Sequence, residues 1–175
     1  MEDKIEVLIS EKEIQEKVAE IAEQIKKDYE GKTIFAVCVL KGGVVFLSDI
    51  VRKLYPLDVN LNFMKTSSYK SGTVSSGSMQ IHLDLDQDIK DKDVIIFEDI
   101  IDSGNTLSIL RKMLLRREPK SLKICTFLSK PSRREVEIPV DYVCFEIPDK
   151  FVVGYGLDYA EKYRNLPYLG YVCTE

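Results

Sequence analysis

Residues 11–28, EKEIQEKVAEIAEQIKKD, carry apolar side chains at Ile14, Val18, Ile21 and Ile25, at spacings of three and four. That period puts them on one face of an α-helix, with Ser10 where an N-cap belongs. The next run, TIFAVCVL (33–40), is apolar throughout and has the length of a strand. KGG interrupts it, and VVFLSDIVRKLY (44–55) returns to helical spacing until Pro56. DVNLNFMKT (58–66) alternates as a strand does, SSYKSGTVSSGS (67–78) is a polar glycine-bearing loop, and MQIHLDL (79–85) is the returning strand. DVIIF (93–97) is a short buried strand and NTLSILRKMLLRRE (105–118) a helix. LKICTFL (122–128) and DYVCFEI (141–147) complete the set as apolar strands.

Unbroken apolar strands are buried on both faces, and here they alternate with helices. The pattern predicts an α/β fold, a mainly parallel central sheet flanked by helices. Neither a repeat nor a low-complexity linker divides the chain, so residues 1–175 are expected to form a single domain with one long inserted loop. A chain of 175 residues with 45% hydrophobic residues can bury a sizeable core.

Charge and cysteine usage remove several classes of function. The net charge of -4 argues against general attraction to nucleic acid. Arg111, Lys112, Arg116, Arg117, Lys120 and Lys123 do cluster near one helix end, which reads as a solvated face favoured by the helix dipole. The cysteines, Cys38, Cys125, Cys144 and Cys173, form no CxxC pair, and His82 is the only histidine, so a zinc cluster is not expected. Buried free thiols fit a reducing cytoplasm. MEDKIEVLISEKEI lacks the apolar centre of a signal peptide, and no stretch reaches membrane-span length. A cytoplasmic protein with no membrane partner is expected.

The chemistry concentrates in FEDIIDSGNTL, where Glu98, Asp99 and Asp102 crowd into what reads as a short turn between a strand and a helix. Ligands of open α/β sheets bind beyond the carboxyl ends of the strands. There the amides of Ser103, Gly104, Asn105 and Thr106 can hold a phosphate at the helix N-terminus. A simpler alternative is that Asp102 or Ser103 merely caps the helix. Acids repel phosphate by roughly 4 kcal/mol at 4 Å and an effective dielectric of 20. The conflict disappears if the acids face sugar hydroxyls or a hard cation instead. A sugar phosphate is the ligand this implies. Neither a Walker A loop nor a dinucleotide fingerprint is present, because Gly154-Tyr155-Gly156 runs into Leu-Asp-Tyr without a third glycine.

VIIFEDIIDSGNTL resembles the phosphoribosyl diphosphate (PRPP) motif of the purine phosphoribosyltransferases. LKGG, the SSY loop, LSKPSRR and PDKFVVGYGLDYAEKYR extend the resemblance over nearly the whole chain, toward the hypoxanthine(-guanine) branch. The resemblance implies the type I phosphoribosyltransferase fold. It adds a flexible lid at about 67–78 and a small base-binding hood from about 130, with N-terminal contributions. Glu98 and Asp99 would hold the ribose hydroxyls and Mg²⁺. Asp102, Ser103, Gly104, Asn105 and Thr106 would wrap the 5-phosphate, with Asp102 turned toward the base as the catalytic group. Lys41 and Gly42 match the pyrophosphate loop, often built on a Leu–Lys peptide that is not trans; alone, they read as a glycine turn with an exposed lysine. Ser68 and Tyr69 match pyrophosphate contacts of the lid, otherwise a hairpin connection. Lys130, otherwise a surface lysine, would donate to the purine 6-oxo group. Phe151 would stack on the purine and Val152 read its edge, where plain core is the simpler reading. Asp158 would hold a second Mg²⁺ and Arg164 would contact pyrophosphate. Asn105 replaces a lysine, and Gly156 an alanine, of some relatives.

The activity implied is purine salvage: Mg²⁺-dependent transfer from PRPP to hypoxanthine, with guanine as a second base, by a homodimer or homotetramer. A relative preferring xanthine and an RNA-binding regulator on the same fold are the competing readings. The acidic balance speaks against RNA, and no nucleic-acid partner is expected.

Overall fold

The structure is a computed structural model that describes residues 4–68 and 79–173. In chain order the elements are β1 (Lys4–Ile9), α1 (Glu11–Asp28), β2 (Thr33–Val39), α2 (Val44–Lys53), β3 (Asp58–Ser68), β4 (Met79–Leu83) and β5 (Asp93–Ile101). They continue with α3 (Asn105–Leu115), β6 (Ser121–Ser129), a 3-10 turn (Pro131–Arg133), β7 (Tyr142–Glu146), β8 (Val152–Val153) and β9 (Leu169–Cys173). The larger sheet has the order β4-β3-β2-β5-β6-β7, parallel except for β4. A smaller antiparallel sheet runs β1-β9-β8.

Strand periodicity divides the core in two. Ile34, Ala36 and Cys38 of β2 join Ile95 and Phe97 of β5 on the face covered by α1 and α2. Phe35 and Val37 join Val94 and Ile96 on the opposite face, which receives Leu107, Leu110 and Leu114 of α3. Helix α1 begins with a reciprocal capping box between Ser10 and Glu13 and buries Ile14, Val18, Ile21 and Ile25, the four positions its spacing singled out. Phe127 of β6 touches Phe46 of α2, Phe145 of β7 and Tyr155, at ring separations of 5.7, 5.8 and 4.7 Å. It ties the sheet to the segment that follows β8. Of the basic cluster, Arg117 grips Asp84 through two bonds of 2.8 Å and Lys123 stands over the Tyr29 ring. Among the described residues no helix is long and apolar enough to cross a membrane.

The elements differ from the sequence expectation where proline, pairing or distance intervenes. Helix α2 stops at Lys53 rather than at residue 55, because the residue before Pro56 is driven out of the helical region. Helix α3 ends at Leu115, and Glu118, just before Pro119, turns to φ 57°. Strand β5 does not end at Phe97 but continues to Ile101, held by pairs Glu98↔Thr126 and Ile100↔Leu128 with β6. Glu98 and Asp99 therefore stand on a strand end, not in the turn. β1, β8 and β9 were not anticipated as strands: β1 is largely exposed, and its partners lie at the other end of the chain. Of the loop at 67–78, residues 69–78 lie outside the described residues.

Phe127→Ala is expected to cost about 3–5 kcal/mol, since it empties the contact joining sheet, α2 and the segment after β8. The shift of the urea midpoint measures it.

Candidate active site

The strand order reverses between β2 and β5: the chain leaves β2 toward β3 and leaves β5 toward β6. Their carboxyl ends open a crevice at that switch point. The loop after β2 enters it first, with the Leu40–Lys41 peptide in the cis form. Gly42 lies so close to Asp99 that a methyl group there would overlap the carboxylate. A methyl group on Gly156 would in turn come within 2.3 Å of the Gly42 carbonyl oxygen. Three distant segments thus meet at two glycine backbones.

Glu98 and Asp99 form the acidic wall. The Glu98 carboxylate accepts the Asp99 N–H at 3.1 Å, and that of Asp99 accepts the Ile100 N–H at 2.7 Å. Among the described residues neither carboxylate has a basic partner. Burial first, and then the neighbouring Asp99 charge, push the Glu98 carboxyl well above its usual range.

Beyond this wall a cavity of about 140 Å³ is lined by Glu98, Ile100, Ile101, Asp102, Ser103, Gly104, Thr106 and Leu107. Helix α3 starts at its floor, from Gly104 at φ 84°, with no side-chain cap on the cap residue. Asp102 is not the cap. Its Oδ1 lies 3.4 Å from Nε of Arg133, and Arg134 donates to its carbonyl at 3.2 Å. Ser103 does take one amide, that of Asn105, at 3.2 Å. The Asn105 side chain turns outward and donates to Glu135 at 2.6 Å. What remains is a small pocket at a positive helix end, suited to an anion.

Lys130 follows β6 and leads into the 3-10 turn that carries Arg133. It is only 8% exposed, so the surface-lysine reading fails. Its N–H donates to the Ile101 carbonyl at 2.9 Å, and its Nζ lies 3.7 Å from Asp149. Arg133 reaches the same Asp149 at 3.7 Å, which completes a charge chain Asp102–Arg133–Asp149–Lys130. Phe151 is 58% exposed with Tyr159 edge-on at 5.6 Å, so it is not core. Val152 is buried and paired with Tyr171 in β8.

Arg164 donates to the Gly156 carbonyl at 2.8 Å and pairs with Asp158 at 3.0 Å, so these two are not an idle solvated couple. Lys41 pairs with Glu161 at 2.8 Å. Ser68 ends β3, and Tyr69 lies outside the described residues.

A divalent cation fits this chemistry. The partly buried Glu98–Asp99 pair has no basic partner, and Mg²⁺ typically takes one or two carboxylates, filling its shell with substrate oxygens and water. Among the described residues no group of three metal-ligating side chains exists, so Asp158 is not gathered with that pair.

Sequence reading missed Arg133, Asp149 and Glu161. All three stood inside motifs already noted, Arg133 in LSKPSRR and Asp149 and Glu161 in PDKFVVGYGLDYAEKYR, where surplus charges with no helical or strand period were the available signal.

The phosphoribosyl transferase domain model matches residues 9–160. The chain belongs to the phosphoribosyltransferase family. Within it, hypoxanthine phosphoribosyltransferase of Escherichia coli is 51% identical over 98% of this chain and 97% of its own. Hypoxanthine-guanine phosphoribosyltransferase of Streptococcus thermophilus is 47% identical over 97% and 93%. A crystal structure of a hypoxanthine-guanine phosphoribosyltransferase from Bacillus anthracis superposes with a TM-score of 0.91 at 47% identity, covering 99% of each chain. The chain shares the type I phosphoribosyltransferase fold with these enzymes.

For this phosphoribosyltransferase the acidic wall has a cost. Folded Glu98 keeps its proton at pH values where the unfolded chain has lost it. Its contribution is therefore present at low pH and lost as pH rises above the ordinary value of 4.5. Glu98→Gln is expected to raise the melting temperature of the unliganded protein at about pH 8 and to flatten its pH dependence. Thermal scans across pH check both.

Proposed function

We propose that this chain is a purine salvage enzyme, transferring the 5-phosphoribosyl group of PRPP to hypoxanthine, and to guanine, with release of pyrophosphate. The observation that carries the reading is the division of one crevice into three chemistries. A helix start whose cap residue, Gly104, brings no side chain suits the 5-phosphate, a carboxylate pair the ribose hydroxyls, and a buried lysine with an exposed aromatic ring a flat, oxygen-bearing base.

The assignment by residue follows that division. Amides and hydroxyls from Ser103 to Thr106 bind the 5-phosphate, while Glu98 and Asp99 accept hydrogen bonds from the ribose hydroxyls. Phe151 stacks on the purine, the Val152 backbone reads its edge, and Lys130 donates to the 6-oxo group, which favours hypoxanthine and guanine over adenine. Loss of pyrophosphate leaves oxocarbenium-like charge at ribose C1, as in glycosidic cleavage. Asp102, between phosphate pocket and base side, faces that charge and takes the proton released as the purine nitrogen bonds to C1. Lys41, the Gly42 backbone, Ser68, Tyr69 and Arg164 receive the pyrophosphate. Mg²⁺ held by Glu98 and Asp99, with a second Mg²⁺ at Asp158, would neutralise developing negative charge on the leaving group.

Four free thiols among the described residues, three of them buried, support a cytoplasmic location. The resemblance also makes a homodimer or homotetramer part of the proposal, which sedimentation tests.

Pyrophosphate release from PRPP, measured with hypoxanthine, guanine, xanthine and adenine, should depend on a 6-oxopurine and disappear with EDTA. No base-dependent release at saturation would defeat the reading. Asp102→Asn should lower turnover about 10²- to 10⁴-fold while PRPP still binds. Wild-type turnover in that variant would remove Asp102 from the chemistry.

A further inference from the structure

Glu161 sits where the proposed leaving group belongs. One of its carboxylate oxygens lies 2.8 Å from Nζ of Lys41, the other 3.3 Å from Nη2 of Arg164. The two ends of one anion therefore bridge the two basic side chains assigned to pyrophosphate. Arg164 is fixed independently through the Gly156 carbonyl and Asp158, so Glu161 is not needed to aim it.

The turn that delivers Glu161 is built against local preference. Tyr159 and Lys162 exchange both backbone hydrogen bonds, at 3.1 and 2.9 Å, across a two-residue loop. Its central residues, Ala160 and Glu161, have φ 50° and 64°, the left-handed pair of a type I′ turn. Such turns favour Asn-Gly, and left-handed backbone is unfavourable for residues with a Cβ. The Glu161 N–H donates to Asp158 at 2.8 Å and helps hold the turn. An exposed glutamate is an anion at neutral pH, and both basic groups face its carboxylate. Glu161 and Lys41 are both exposed, at 65% and 53%, so their pairing is weak and exchangeable.

Resting on the reading above, we propose that Glu161 is an internal stand-in for pyrophosphate. Its carboxylate occupies Lys41 and Arg164 in the empty site, yields them to the substrate's diphosphate, and reclaims them as the product leaves. A carboxylate carries one charge and pyrophosphate several, so the substrate wins the exchange. Competition from Glu161 then weakens the hold on the product.

Glu161→Gln removes the charge while keeping the side-chain shape. Titration calorimetry with inorganic pyrophosphate and Mg²⁺ should show about 2- to 10-fold tighter binding than in the wild type. The KM for PRPP should fall in parallel, with kcat no higher. Unchanged or weaker pyrophosphate binding would overturn the proposal, because a residue that merely supports Arg164 moves affinity the other way. The two readings separate cleanly. Absence of wild-type turnover defeats the enzymatic one, whereas calorimetry reads the role of Glu161 without turnover.

Discussion

The crevice depends on one close approach. Backbone at Gly42 lies against the Asp99 carboxylate, and backbone at Gly156 lies against the Gly42 carbonyl. A Cβ at Gly156 would meet the Gly42 carbonyl oxygen at 2.3 Å, and one at Gly42 would displace the Asp99 carboxylate. The sheet creates the approach: β2 and β5 pair in parallel from Ile34↔Asp93 to Cys38↔Phe97, after which β2 stops at Val39 while β5 runs on to Ile101, so the loop after β2 folds across the extended end of β5. Tyr155 and Leu157 on either side of Gly156 are buried in the core, and the Tyr155 ring packs on Phe127. Packing beneath the sheet end thus positions groups above it.

Around that contact, charges are separated by type of element. Carboxylates stand on the end of β5, the positive start of α3 lies in the turn after it, and cations sit on the loops after β2 and β8. This resolves the conflict posed by acids beside an anion site. Continuation of β5 to Ile101 moves Glu98 and Asp99 one step away from the helix start. The turn proper holds only Asp102, Ser103 and Gly104, and Asp102 is drawn toward Arg133.

Elements with many local contacts were legible in the sequence. The period of α1, its Ser10 cap, and the apolar runs of β2, β5, β6 and β7 all stand where residue spacing placed them. What escaped depends on partners remote in the chain. β1 reads as a polar, partly alternating stretch until Lys4 meets Cys173 and Val7 meets Gly170. In the crevice, glycines and acids were visible as types, because a turn or a cradle constrains which residue can stand there. The roles of Arg133, Asp149 and Glu161 were not visible, since an exposed charge acquires meaning only from the charge it faces.

Those late-found residues share a physical logic. Asp102 has Arg133, Lys130 has Asp149, Lys41 has Glu161, and Arg164 has Asp158. Each charged group assigned to substrate already faces an internal partner of opposite sign. The exposed pairs among them, Lys41–Glu161 and Arg133–Asp102, contribute about 0–1 kcal/mol each, so trading them for a ligand costs little, yet they restrain the side chains beforehand. Glu98 and Asp99 break the rule, having no basic partner among the described residues. That exception locates where the site leaves charge uncompensated, and an electropositive partner has the most to gain there. The crevice is therefore balanced where its basic groups already face carboxylates and unbalanced at Glu98 and Asp99, the point at which a divalent cation fits.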